Sequence, residues 1–404
     1  MHIFRSKTKI VITFFVFKRE KSYFCIIMIN RILQKQLESD LSRKKVQVIF
    51  GPRQIGKSTL SEMVYNNFEE KKLWLNADDA DVRAQFENPS GLKFENLFKT
   101  YKLLVIDEAQ RLNNAGLTLK IIADQVKHLN VIATGSSAFE LNDKIKESMV
   151  GRALEYKLFP FSVQELSDHT SIFDENKLLD HRLIYGYYPE VVNNPGDEKR
   201  VLQQLCDSML YKDLYTVEKL KKPYLLEKIL QALALQLGSE VSYNELANIV
   251  GADKETVERY IFMLEQAFII YRLPALSRNV RTELRKARKI YFYDNGIRNS
   301  LISNFSPIAL RNDKGALWEN FLITERLKKI SYQNLYSNRY FWRTKTQQEI
   351  DYIEEYDGIL NAFEIKFKKN SRAALPLTFS QAYPNHRFSL VDLTNYLEFV
   401  LNGS

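Results

Sequence analysis

Residues 51–59 read Gly51-Pro52-Arg53-Gln54-Ile55-Gly56-Lys57-Ser58-Thr59. Two spaced glycines followed by a lysine and two hydroxyls suit the holding of a polyphosphate. Gly51 and Gly56 let the backbone curl with its N–H groups turned toward an anion. Lys57 reaches β- and γ-phosphate oxygens, and the Ser58 hydroxyl is a hard ligand for Mg²⁺. Downstream, the aliphatic run Leu103-Leu-Val-Ile ends in Asp107-Glu108. Asp107 is placed to hold the same Mg²⁺, directly or through water, and Glu108 to take a proton from an attacking water. The alternative for this pair is a cap on the next helix. Thr134-Gly135-Ser136-Ser137 closes a third apolar run. Ser136 is a candidate to orient water there, or else a helix N-cap. Arg152 is a candidate for stabilising charge on a γ-phosphate, in cis or from a neighbouring subunit; otherwise it is a surface or interface cation.

A second set of chemistry-bearing residues lies near the C-terminus. Glu364-Ile365-Lys366 puts an acid and a lysine on one face of a strand. Asp351 on a neighbouring strand can meet Glu364 and share a divalent cation, with Glu319 completing the set and Lys366 positioning a water. The competing reading is a salt-bridged cluster without a metal.

Elements must position these groups. Val46–Phe50 reads as a buried strand running into the glycine loop, with helix from Leu60. Leu103–Asp107 suits a central parallel strand, whose C-terminal end opens on the ligand crevice of an α/β sheet. Asn130–Ala133 is a further strand. Glu155–Phe159 reads as the last strand of the sheet, ended by Pro160.

With those elements in place, G-P-R-Q-I-G-K-S-T, L-L-V-I-D-E-A-Q, T-G-S-S and G-R-A-x-E-Y-x-L-F-P-F-S resemble a large family of uncharacterised prokaryotic AAA-type ATPases. Their P-loop domain is followed by a C-terminal domain of unknown function. Gly186-Tyr-Tyr-Pro189-Glu190-Val-Val is similar to that family's G-Y-P-E-V segment, and Tyr291-Phe-Tyr-Asp294-Asn-Gly296 to its aspartate–glycine signature. The resemblance covers nearly all of the chain from Met28. It implies the Walker-type strand order with a catalytic glutamate, and ATP as the nucleotide.

The middle of the chain reads helix, turn, helix, strand pair, which is the winged-helix pattern. Its helices are expected over Leu225–Leu237, Ser242–Val250 and Lys254–Ala267, with Ser242 and Glu245 forming a capping box. Its strands are expected over Phe268–Leu273 and Lys289–Tyr293. Between them, Arg278, Arg281, Arg285, Lys286, Arg288 and Lys289 face only Glu283. This basic hairpin, 278–289, is a candidate DNA-phosphate contact. It reads equally as a solvated hairpin or a docking face, and four acids on the preceding helix oppose entry into a major groove. Farther on, a helix over Ala316–Lys329, strands over Tyr340–Arg343, Glu349–Glu354 and Leu360–Phe367, a helix over Ala373–Ala382 and a strand over Arg387–Val391 are expected. With Asp351 and Glu-x-Lys, this order resembles the restriction-endonuclease-like superfamily.

Composition narrows the class. The chain has 404 residues, 45% hydrophobic and 26% charged, which excludes bulk disorder and low-complexity structure. Cys25 and Cys206 are too few for a disulfide framework and lack zinc spacing, so a reducing cytoplasmic setting fits. The net charge is +9, but residues 1–27 alone carry Arg5, Lys7, Lys9, Lys18, Arg19 and Lys21 against Glu20. Their apolar run, Ile10–Phe17, is too short to span a membrane. The segment reads as a surface anchor or targeting sequence or, preferably, as lying upstream of a start at Met28. Without it and the basic hairpin the chain is close to neutral.

The expected organisation is an extension (1–27), an α/β P-loop domain (28–166), a helical connector (167–222), a winged-helix region (223–296) and an α/β nuclease-like domain (310–401). The expected function is Mg²⁺-dependent ATP hydrolysis, coupled to DNA binding or processing. The alternative is a nucleotide-driven protein-interaction switch with an inactive nuclease-like domain. Homo-oligomers or a protein partner fit either reading, and a membrane fits neither.

Overall fold

Strands that are buried at every position are covered on both faces. In the computed structural model, which describes residues 28–135, 149–209, 222–276 and 288–401, three such strands form the centre of a sheet. They are β1 (Val46–Phe50), β3 (Leu103–Asp107) and β4 (Asn130–Gly135), buried throughout. The edges are β2 (Lys72–Asn76) and β5 (Ala153–Lys157), both less buried. The order is β2-β3-β4-β1-β5, and all pairings are parallel. β2 has no counterpart among the expected strands, because its run Lys-Leu-Trp-Leu-Asn is short and polar at both ends.

The register aligns the functional ends. Phe50 lies opposite Gly135 and Lys157, and Asn76 opposite Asp107. The strands therefore finish together at one edge, where the glycine loop leaves β1. Alternate side chains enter opposite layers. Ile49, Val105 and Ile132 pack with Leu33 and Leu37 of α1 (Ile32–Asp40) and Leu60 and Val64 of α2 (Lys57–Asn67). Val48, Leu104, Ile106 and Val131 pack on the other face. Their partners come from α4 (Gly91–Phe98) and α5 (Ala115–Gln125), with α3 (Ala80–Gln85) leading into α4.

Beyond β5, Ser162 and Glu165 form a capping box that starts the helix Val163–His169. Helices Leu179–Tyr185, Pro189–Asn193 and Glu198–Ser208 follow, matching the helical character expected there. Helices Pro223–Leu235, Tyr243–Val250 and Lys254–Gln266 then pack with a three-stranded antiparallel sheet. Its order is β6-β8-β7, from β6 (Glu240–Val241), β7 (Ile270–Leu273) and β8 (Arg288–Phe292). Ser242 caps its helix by accepting from the Glu245 N–H.

The C-terminal part opens with the long helix Lys314–Tyr332. A four-stranded sheet follows, in the order β12-β11-β10-β9. β9 (Asn338–Arg343), β10 (Glu349–Tyr356) and β11 (Ile359–Ile365) are antiparallel neighbours. β12 (His386–Val391) returns parallel to β11 after the helix Leu377–Ala382. That helix starts four residues later than the sequence indicates. Pro376 biases the residue before it toward extended backbone, so Ala373–Leu375 stay outside the helix. One apolar cluster runs from α1 and α2 through the connecting helices to the helix Lys314–Tyr332, so the parts share a core. Among the described residues, no helix is long and apolar enough to cross a membrane. Cys206 is buried and free.

Candidate nucleotide-binding site

The loop between β1 and α2 takes the conformation its glycines foretell. Gly56 sits at φ 92° and Gln54 at φ 57°. A Cβ at Gly51 would stand 2.5 Å from the Leu158 carbonyl oxygen, so that position must be bare. Lys57 is buried, and its Nζ donates to the carbonyls of Gly51 (2.9 Å) and Pro52 (2.8 Å). The ammonium thus lies folded across its own loop.

At the adjoining strand end, the Ser58 hydroxyl donates to Asp107 Oδ1 at 3.1 Å. Thr134 Oγ1 donates to the same carboxylate and accepts from the Glu108 N–H at 3.0 Å. Glu108 adopts φ 53°, which turns the chain sharply after β3. Its carboxylate accepts from the Gln110 amide. Burial, with the nearby Asp107 carboxylate, raises the pKa of Glu62 on α2. A hydroxyl and carboxylate at a strand end with surplus negative charge form a donor set suited to a hard cation such as Mg²⁺, whose remaining ligands are phosphate and water.

Gly56, Lys57, Ser58 and Thr59 line a cleft of about 470 Å³ together with Arg53, Gln54 and Glu108. Pro52 and Ile55 complete the loop. The opposite wall is Pro189, Glu190 and Ser208, from the connecting helices. Pro189 and Glu190 belong to the Gly186-Tyr-Tyr-Pro-Glu segment, whose sequence alone does not assign it to this cleft. Its placement is enforced by Asp294. Gly186 has φ 75°, and a Cβ there would lie 2.1 Å from Asp294 Oδ1. The Tyr187 N–H donates to Asp294 Oδ2 at 2.7 Å, and a Cβ on Gly296 would strike the Tyr185 carbonyl. Burial pushes Asp294 up to about 6, against the pull of the N–H groups that it accepts from. The two motif segments therefore interlock, and the lock delivers Pro189 and Glu190 to the cleft.

Arg152 is a correction to the in-cis expectation. Ala153 lies opposite Val46, at the start of β1, and the Val46 N–H donates to the Arg152 carbonyl at 3.0 Å. The loop leaves the far end of β1, about 13 Å away at some 3.3 Å per residue. Arg152 pairs instead with Asp124 at 2.6 Å on the surface. Ser136 and Ser137 lie outside the described residues, as do residues 1–27 and most of the basic hairpin (277–287).

The C-terminal acids converge, but around ammonium groups. Lys289 Nζ lies 2.9 Å from Glu319, 2.6 Å from Glu349 and 4.0 Å from Asp351. Tyr291 OH also donates to Glu319, at 2.6 Å. Glu364 pairs with Lys366 at 2.6 Å, and Asp351 Oδ2 accepts from the Ile365 N–H at 2.8 Å. Burial pushes Glu319 up to about 7, with Lys289 opposing, and raises Asp351 and Glu364. Lys289 closes the hairpin that reads as a DNA-phosphate contact, a solvated hairpin or a docking face. It is 1% exposed, because β8 turns its side chain inward onto these acids. Among the described residues, no group of three or more His, Cys, Asp or Glu side chains could hold a metal ion. Glu319 and Asp351 instead face Lys289, and Glu364 faces Lys366.

Comparison with known proteins agrees with the geometry. Residues 43–167 match the family described as AAA domain. Residues 176–308 match Domain of unknown function (DUF8612), and residues 314–398 match Domain of unknown function (DUF4143). The parallel sheet and glycine loop thus define a P-loop ATPase domain of the AAA type, followed by regions that match domains of unknown function. The chain is 26% identical to the uncharacterized protein Rv2008c of Mycobacterium tuberculosis, over 91% of this chain and 83% of that one. It is 23% identical to the uncharacterized protein MJ1544 of Methanocaldococcus jannaschii, over 80% and 75% of the two chains. Among solved structures, it is similar to the Walker-type ATPase PABY2304 of Pyrococcus abyssi. That similarity has 17% identity and a TM-score of 0.44, covering 67% of this chain and 94% of that one.

Proposed function

We propose that the protein hydrolyses ATP in a Mg²⁺-dependent reaction at the loop 51–59. The observation that carries this reading is the hydrogen bond from Ser58 to Asp107, which joins the phosphate loop to the acidic strand end beside Glu108. When bound, Mg²⁺ supplies charge neutralisation at the β- and γ-phosphate oxygens. Ser58 and Asp107 would hold it. Lys57 leaves its own loop carbonyls and pairs with phosphate oxygens, so its charge is always partnered. The N–H groups of the loop and the start of α2 bind the remaining phosphate charge. Glu108 accepts the proton of the attacking water as the γ-phosphate departs, leaving ADP and inorganic phosphate. Lys57→Ala should abolish binding of a fluorescent ATP analogue. Glu108→Gln should bind it normally and release phosphate at least a hundredfold more slowly, on the order expected for losing a general base. Normal turnover in Glu108→Gln would sink the assignment.

A second reading concerns the rest of the chain. We propose that residues 223–296 are a winged helix and 310–401 a restriction-endonuclease-like fold that serves as a nucleotide-driven interaction module, not a nuclease. The observation favouring this is the Lys289 ammonium among the acids. An ammonium there already neutralises carboxylates that a divalent cation would need. Coupling to DNA instead rests on basic residues mostly outside the described ones. Plasmid DNA with Mg²⁺ and ATP should remain intact with this protein, and the ATPase rate should be indifferent to DNA. Cleavage that Asp351→Ala removes would restore the nuclease reading.

A further inference from the structure

We infer that Arg31 is a positioning residue for the phosphate loop, setting the loop's peptide planes from outside. It rests on the nucleotide reading above, and neither the motif nor the resemblance assigns it. Arg31 precedes α1, is 6% exposed and lies over the Phe161 ring at 4.7 Å. Its Nη1 donates to the Ile55 carbonyl at 3.0 Å, Nη2 to the Phe159 carbonyl at 2.5 Å and Nε to Glu165 Oε1 at 3.0 Å.

The Ile55 contact carries the inference. The carbonyl of Ile55 and the N–H of Gly56 belong to one planar peptide and point in opposite directions. A donor that holds this carbonyl on the outside of the loop turns the Gly56 N–H toward the inside, where phosphate binds. Without a donor, a buried carbonyl would be left unsatisfied and the peptide would be free to flip.

The guanidinium is itself fixed. Glu165 also accepts from the Ile32 N–H (2.9 Å) and the Ser162 N–H (2.9 Å), so it cannot swing away. The segment 158–163 that Arg31 grips is held from its other side by the helix Lys314–Tyr332. Tyr332 OH accepts from the Phe159 N–H (3.3 Å), Lys328 donates to the Phe161 carbonyl (2.8 Å), and Glu325 accepts from the Val163 N–H (2.9 Å). Arg31 thus ties the loop to the C-terminal region through a short run of backbone. A planar fork meets three acceptors at once, whereas a lysine ammonium offers a single point charge.

The test uses the full chain with Arg31→Lys, which keeps a charge for Glu165 but cannot span both carbonyls. Hydrogen exchange of the 51–57 amides should quicken while β1 and β3 amides stay protected. The dissociation constant for the fluorescent analogue mant-ADP should rise about tenfold, with KM rising alongside and kcat little changed, as lost uniform binding requires. A folded Arg31→Lys with unchanged loop exchange and unchanged mant-ADP affinity overturns the inference. Equal loss of protection throughout the sheet also overturns it, since that marks a merely structural cation. If the wild type binds no mant-ADP, the nucleotide reading fails, and loop exchange alone decides the role of Arg31. Should Arg31→Lys not fold, Glu165→Gln loosens the same fork. It should give a smaller rise, about threefold, with faster loop exchange, and no change in either would overturn the inference.

Discussion

Glu319 offers a direct measure of what the C-terminal acids do. Its pKa is pushed from an ordinary 4.5 up to about 7 by burial, which outweighs the attraction of Lys289. Below about pH 4 the group is protonated whether folded or unfolded, and it contributes no pH dependence. Between those two values the folded chain holds a proton that the unfolded chain has released. Stability therefore falls as pH rises through this window, and is lowest above the folded pKa. A shift of two to three units corresponds to roughly 3 kcal/mol. The 15% of the side chain that stays exposed trims that figure. Glu319→Gln keeps an oxygen for Lys289 and Tyr291 and removes the titration. Urea unfolding from about pH 5 to 8 should show the wild type losing up to about 1 M in midpoint relative to this variant. Asp294 has a raised pKa as well and adds slope of the same sign to both proteins, so only their difference is diagnostic. Parallel midpoints across the range would refute the reasoning. A wild-type slope that millimolar Mg²⁺ abolishes would instead show the acids taking a metal in preference to Lys289.

Removing the ammonium should be costlier than removing one acid. Lys289→Met leaves buried carboxylates uncompensated and should cost roughly 3–5 kcal/mol in urea unfolding at neutral pH, less at acid pH where the carboxylates protonate. Gly186→Ala would set a Cβ 2.1 Å from Asp294 at a φ of 75°. It should lower the thermal midpoint by several degrees and weaken mant-ADP binding, because Pro189 and Glu190 lose their anchor. Arg152→Ala should leave mant-ADP affinity unchanged within about twofold in equilibrium titration, since each tenfold would require 1.4 kcal/mol of lost contact.

The nucleotide site was largely legible because its signals are local. Gly51 and Gly56 report backbone conformations that other residues resist, and Leu103–Asp107 reports a strand covered on both faces. The helix after the glycine loop and the Ser242 cap follow from the same short-range rules. In the sequence Thr134 is one of several hydroxyls at a strand end, and its bonds to Asp107 and Glu108 depend on the β3–β4 pairing. Arg152 sits away from the glycine loop for a related reason. A parallel strand enters at one end of the sheet and leaves at the other, and which end faces the loop is a matter of register.

What the sequence determined by itself was the phosphate loop, the acidic strand end and the alternation of strands and helices that holds them. Each depends on residues close in the chain, so composition and spacing suffice. Tertiary structure alone decided where the long-range charges went. Arg31 meets Glu165 across 134 positions, and Lys289 meets Glu319 across 30. A buried cation is tolerable only beside its counter-charges, and which acid waits there depends on packing between distant elements. Lys289 consequently lies at the centre of an acid cluster, and Arg31 on the underside of the phosphate loop.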